Sequence, residues 1–212
     1  MKEILNKIRV PDANENLKNS IISTALILLL GVILGTFSKW LDNLSIDSTV
    51  WWQNILEILD LKNVFSLFGI WIFIAVTISV FSKTPFKAAV NVLLFFIGMI
   101  TSYHLYTIYF CGFNPLEYMK IWYGVTLITP ALSYICWYAK GTSKVSIIIS
   151  SLILCVMFIS SFSIGVWYFD VKSVVDLIIF IGTVLVLYKN PKNSIYSLII
   201  ALFLAFIICT IL

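Results

Sequence analysis

Long apolar runs, separated by short polar breaks, occupy most of the chain. A helix that crosses a bilayer needs about 20 predominantly apolar residues. Runs of that order fall at about 20–41, 63–81, 86–110, 118–138, 145–169, 171–188 and 194–212. The pattern predicts an all-α fold, a polytopic transmembrane helix bundle of about seven spans. The count turns on the Val145 to Tyr188 region, where only Tyr168 to Ser173 separates two runs; without that break it would be six. The longest loop, Asp42 to Lys62, carries a different period. There Trp52, Ile55, Leu56 and Leu59 share one helical face and Gln53, Asn54, Glu57 and Asp60 the other. This predicts an interfacial helix over about 50–61, capped by Asp47, Ser48 or Thr49 and anchored by Trp51 and Trp52.

Composition agrees with the pattern. Of 212 residues, 61% are hydrophobic and 11% charged, which excludes a water-soluble fold, where about half are apolar and a quarter charged. The lipid bilayer is the expected surrounding. Residues 1–19 read as a cytoplasmic basic arm able to lie on anionic headgroups, and 20–212 as a single transmembrane domain. The first apolar run is too long for a signal-peptide core and reads as an uncleaved helix.

A net charge of +4 does not point to nucleic acid, because the basic residues sit in pairs beside apolar runs. Lys2, Lys7, Arg9, Lys18, Lys83, Lys87, Lys140, Lys144, Lys189 and Lys192 fall on one side of the alternating loops. Lys39, Lys62, Lys120 and Lys172 share the other side with Asp42, Asp47, Glu57, Asp60, Glu117, Asp170 and Asp176. Since cytoplasmic loops are enriched in Lys and Arg, the N-terminus is expected inside and the C-terminus outside, in the cell (inner, cytoplasmic) membrane.

The polar residues within the spans mark the candidate chemistry. In the third span Asn91, Gly98, Ser102, Tyr106 and Tyr109 form one stripe, and in the fourth Trp122, Thr126, Thr129, Pro130, Ser133 and Trp137 form another. The two stripes are expected to meet inside the bundle, as helix glue or as a site. Pro130 removes the amide that would bond the Thr126 carbonyl, kinks the helix and frees an acceptor at membrane depth. His104 points about 140° from the Asn91 stripe; standing alone, it reads as a hydrogen-bonded interface residue, with proton relay or ligand contact the alternatives, and supports no metal. Asp176, inside the sixth span, is a functional candidate with Lys39 as its expected partner. Gly31 and Gly35 offer a close-packing surface for another helix or a partner subunit. The cysteines (Cys111, Cys136, Cys155 and Cys209) lack metal spacing and read as small hydrophobes. No P-loop, HExxH or GxSxG is present, so no catalytic residue, metal or cofactor is expected.

Two stretches carry a resemblance: Gly35-Thr36-Phe37-Ser38-Lys39-Trp40-Leu41-Asp42, and Ser102-Tyr103-His104-Leu105-Tyr106-Thr107 through Gly112-Phe113-Asn114-Pro115 to Trp137-Tyr138-Ala139-Lys140-Gly141. They resemble an uncharacterised family of bacterial multi-pass membrane proteins of about this length, which implies membrane location and no activity. Size and hydropathy also resemble the substrate-binding membrane subunits of vitamin transporters, a likeness of class. The turns Lys83-Thr84-Pro85 and Lys189-Asn190-Pro191 would correspond if spans one to three and five to seven were parallel repeats, as in three-plus-one-plus-three transporters.

The leading expectation is a small-solute transporter or solute-binding membrane subunit with an outward-facing site built from Ser102, His104, Tyr106, Trp122, Thr126 and Asp176. Its rival is a non-catalytic partner, assembly or immunity protein in which these faces are helix contacts. An intramembrane enzyme comes third.

Overall fold

In a computed structural model, which describes residues 5–12, 16–47, 49–165 and 167–211, the chain is almost wholly helical. The helices are α1 (Leu17–Asn43), α2 (Trp51–Ile58), α3 (Leu61–Ser66), α4 (Phe68–Phe81), α5 (Pro85–Cys111), α6 (Leu116–Trp137), α7 (Lys144–Ser161), α8 (Val174–Leu187) and α9 (Pro191–Ile211). A 3-10 turn (Tyr138–Lys140) follows α6, and between α7 and α8 lies a hairpin of β1 (Phe162–Ile164) and β2 (Phe169–Val171). Lys2 of the basic arm, the candidate cap Ser48 and the last residue of the seventh span lie outside the described residues.

Local chemistry sets several of the boundaries. Thr84 accepts a hydrogen bond from the Lys87 amide (3.1 Å) and Pro85 opens α5, the first-turn position where a missing amide costs nothing. The same helix stops at Gly112, whose φ of 75° is left-handed and favours glycine. Ser143 caps α7 through the Ser146 amide.

Four helices, α1, α5, α7 and α9, are long and apolar enough to cross a membrane; α4 and α8 are apolar but have 14 residues each. The outward surfaces of α1, α6 and α9 carry Leu26, Leu127 and Phe203, exposed by 59%, 78% and 65%, a belt suited to hydrocarbon rather than water.

Helix α4 is the hub, touching α5, α6, α7 and α8. On one side of it Trp71, Phe95, Met99, Ile100 and Met119 form a core with α5 and α6. On the other, Val76, Val80, Ile153, Leu154, Met157, Ile179 and Ala205 form a second core with α7, α8 and α9. The tightest crossing joins α1 to α5. A Cβ on Gly31 would collide with the Phe95 carbonyl, one on Gly35 with the Met99 carbonyl, and one on Gly98 would lie 2.7 Å from the Leu28 carbonyl. The small-residue surface of Gly31 and Gly35 is thus filled by another helix of the same chain.

Several expectations are corrected. The span expected at 63–81 is split at Leu67, an extended residue between α3 and α4. The one expected at 145–169 ends at Ser161, because Phe162–Ile164 pairs antiparallel with Phe169–Val171. The helix expected over about 50–61 is Trp51–Ile58 and has no side-chain cap; Asp47 instead binds the Thr49 amide and hydroxyl (3.0 and 2.7 Å). Its faces also differ: Trp52 stacks on Trp40, whereas Ile55 is exposed with Trp51 and Ile58. The parallel-repeat correspondence does not hold in the packing, where α5 lies between α1 and α4 but α7 contacts both α8 and α9. The third helix of one triplet therefore plays the part of the first in the other.

The N-terminal arm is tucked under the bundle. Leu5 and Ile8 pack against Ala88, Trp137 and Tyr138, and the Asp12 amide bonds the Lys83 carbonyl (3.0 Å). Arg9 therefore points into the protein instead of resting on lipid headgroups. We call the end of the bundle that holds Arg9, Lys83, Lys140 and Lys189 the basic end, and the end that holds α2, α3 and the hairpin the loop end.

Candidate functional site

The α6 face bearing Trp122, Thr126, Thr129 and Ser133 turns toward α4. Ser133 and Ser79 share a 2.8 Å hydrogen bond, the Trp137 indole donates to the Ser82 carbonyl (2.7 Å), and Trp122 packs on Phe68. The α5 stripe faces α1: Thr24 donates to Asn91 (2.7 Å), Gly98 sits against Leu28, and Ser102 lies beside Gly35. The expected meeting of the two stripes does not occur. Helix α5 uses opposite faces for α1 and α6, and among the described residues the stripes are bridged only at Ser82, whose hydroxyl accepts from Asn91 (3.2 Å) and whose carbonyl accepts from Trp137.

Between α4, α5 and α6 lies a chamber of about 320 Å³. Its walls include Phe68, Trp71, Ile72, Ala75, Phe96, Met99, Trp122, Val125, Leu132 and Cys136, with Ser79, Thr126, Thr129 and Ser133 as the hydroxyls. All four hydroxyls are already engaged. Ser79 donates to Ala75 and pairs with Ser133; Thr126 bonds the Trp122 carbonyl (2.9 Å). Thr129 takes the Thr126 carbonyl at 2.8 Å. The acceptor released by Pro130 is therefore satisfied internally.

At the loop end, sharing Trp71, Met99, Ile100 and Trp122 with the chamber, is a smaller polar mouth of about 90 Å³. Ser38, Asp42, Ser66, Tyr103 and Tyr118 contribute its polar atoms. The Tyr103 hydroxyl donates to Asp42 Oδ2 at 2.7 Å, and the Ser66 hydroxyl lies 3.5 Å from Oδ1. A carboxylate has about four lone-pair sites, so Asp42 keeps acceptor capacity to spare. Lys39 is 9% exposed, with its ammonium 5.0 Å from the centre of the Tyr103 ring.

Of the six residues expected from sequence, Trp122 and Thr126 line the chamber. The other four lie elsewhere. Ser102 bonds the Met99 carbonyl at the α1 crossing, and Tyr106 stacks on Phe110. His104 joins α5 to α6 by bonding Tyr123 (3.2 Å) and Asn114 (2.8 Å), as an interface histidine should. Asp176 stands in the first turn of α8, where its amide donates to Ser173 Oγ (3.0 Å) and its carboxylate accepts from the same hydroxyl (2.9 Å). This reciprocal arrangement ties down a helix start. No ion pair joins Asp176 to Lys39 among the described residues. Asp42 and Trp71 are among the lining residues the sequence reading does not propose for the site, and Tyr103 enters it only as one of the outer-side aromatics; Asp42 and Tyr103 lie 61 positions apart.

The basic end is a second electrostatic feature. Arg9 donates to the carbonyls of Trp137 (2.6 Å) and Val80 (2.9 Å) and lies 4.0 Å above the Trp137 ring. Lys140 donates to Val186 (2.6 Å) and Lys189 to Ser146 (2.9 Å). Arg9 and Lys140 thus serve the C-termini of α4, α6 and α8, where helix dipoles favour cations. Burial lowers the pKa of Arg9, and burial followed by the charge of Arg9 lowers that of Lys140. Lys189 is pushed down to about 8 by burial and then by the charge of Lys140.

The geometry defines a predominantly helical protein whose apolar helices fit a membrane protein, with an amphipathic cavity among three of its helices. No known family, curated protein or solved structure matches the chain.

Proposed function

We propose that the chain is a seven-span membrane protein with its N-terminus in the cytoplasm, related to the multi-pass family it resembles, and that it binds a small solute between α4, α5 and α6. Its role is that of a transporter or a solute-binding membrane subunit. Seven crossings are supported by the alternating directions of α1, α4, α5, α6, α7, α8 and α9, with α3 and the hairpin completing the two short spans. The orientation is supported by Arg9, Lys83, Lys140, Lys144, Lys189 and Lys192 at one end and Asp42, Glu57, Asp60 and Asp170 at the other.

The observation that carries the binding reading is that mouth and chamber share four walls, Trp71, Met99, Ile100 and Trp122, the polar mouth on one side of them and the apolar chamber on the other. A concave, largely apolar space with a few convergent polar groups is the usual form of a small-molecule site. Screening the protein in nanodiscs by native mass spectrometry tests it. Stoichiometric binding of a small molecule, lost when Ala75→Phe fills the chamber and weakened by Trp122→Ala, is the expected result. A ligand held unchanged by both variants would remove the assignment. Impermeant thiol reagents test the orientation, reaching a cysteine at Asp60 but not one at Thr142 in intact cells.

A further inference from the structure

Resting on that reading, we infer the class of solute: a single-chain amphiphile whose apolar tail fills the chamber and whose head, rich in hydrogen-bond donors and carrying no negative charge, sits at Asp42. The chamber walls decide the tail. Every hydroxyl there is turned onto its own helix or onto another hydroxyl, so a sugar, amino acid or ion would exchange water for hydrocarbon without recovering its hydrogen bonds. The lining runs along α6 from Trp122 to Cys136, about 21 Å at 1.5 Å per residue, a space far longer than it is polar.

The mouth decides the head. Asp42 faces it with unused acceptor sites, flanked by the hydroxyls of Ser38 and Ser66. The cations nearby are engaged: Lys62 donates to the Leu44 carbonyl (3.3 Å), Lys120 pairs with Glu117 (2.6 Å), and Lys39 lies over the Tyr103 ring and does not line the mouth. Asp47, Glu57 and Asp60 add negative charge to the same end. A polyol or ammonium head complements this field. A carboxylate or phosphate head would meet Asp42 directly, and among the described residues no Lys or Arg lines the mouth to offset it.

The test uses three C12 alkyl probes carrying a diazirine in the tail, with a glyceryl, a primary ammonium or a carboxylate head, photolysed with the full-length protein in nanodiscs of zwitterionic lipid. The inference expects adducts on Ala75, Val125 and Leu132 from the glyceryl and ammonium probes, with the carboxylate probe at least tenfold weaker. In Asp42→Asn the carboxylate probe should rise toward the glyceryl level and the ammonium probe should fall. Affinity within the glyceryl series should rise about fourfold per added methylene until the chamber is full. Equal labelling by all three heads in the unmodified protein would overturn the head assignment while leaving the chamber as a binding site. Displacement of every probe by anionic bilayer phospholipid would overturn it in the same way. Labelling that Ala75→Phe leaves unchanged, or no chamber labelling at all, would remove both the amphiphile and the site.

Discussion

Replacing Arg9 by alanine removes one side chain that holds two helices together. Its guanidinium donates to the last turns of α4 and α6 through the Val80 and Trp137 carbonyls and covers the Trp137 ring. A hydrogen bond to a charged group contributes about 1.5–3 kcal/mol. Arg9 is only half-buried and water can replace part of each bond, so about 1 kcal/mol apiece is the appropriate end of that range. The ring contact adds roughly 0.5–1 kcal/mol. Favourable placement at two helix C-termini overlaps with the same bonds and is not added again. The expected loss is about 3 kcal/mol, or a fall in Tm of roughly 6–12 °C for a chain of this size. Thermal unfolding in a fixed detergent, followed by circular dichroism, reads it. Arg9→Lys keeps the charge but not the planar fork and should lose about half as much; Lys7→Ala, on the exposed side of the arm, should lose almost nothing. A fall below 2 °C in Arg9→Ala, or full stability in Arg9→Lys, would refute the clamp.

Three further outcomes follow from the same geometry. Gly35→Ala, driven into the Met99 carbonyl, should cost at least 1–3 kcal/mol. Gly124→Ala, with open space around its Cβ, should be neutral or stabilising by up to about 1 kcal/mol, and the pair is read by parallel melts. Lys189 titrates near 8 in the fold and near 10.4 when unfolded. Between those values the unfolded chain holds more protons, so stability rises as pH goes from about 8 to 10; Lys189→Met should flatten the rise in a pH series of melts. Asp176→Asn should reduce stability by about 0.5–1 kcal/mol through the α8 start and leave ligand affinity unchanged, whereas a tenfold loss of binding would return Asp176 to the site.

Periodicity and end signals made the long helices legible, because Thr84-Pro85 and Gly112 bracket α5 whatever surrounds it. The hairpin was not legible. Phe162, Ser163 and Ile164 continue the hydropathy of α7, and only their pairing with Phe169–Val171 turns them out of the helix. The break at Leu67 has only Gly69, two positions on and inside the first turn of α4, to announce it. In the site, Trp122 and Thr126 stood out because their polar stripe interrupts an apolar run. Asp176 carries two readings at once: a carboxylate beside apolar residues points to chemistry, while Ser173 three positions earlier is the signature of a capped helix start. The Asp42–Tyr103 pair needed the third dimension, since the α1 to α5 crossing is what brings them together.

That crossing also determines which parts of the molecule can move. Helices α1 and α5 meet backbone to backbone at Gly31, Gly35 and Gly98, so neither can slide or roll without a steric collision, and the two form one stiff plank. In α6, by contrast, a Cβ on Gly124 would meet open space, and Pro130 interrupts the helix next to the chamber-lining Thr129. Any widening of the cavity is therefore expected to fall on α6 rather than on the α1–α5 pair.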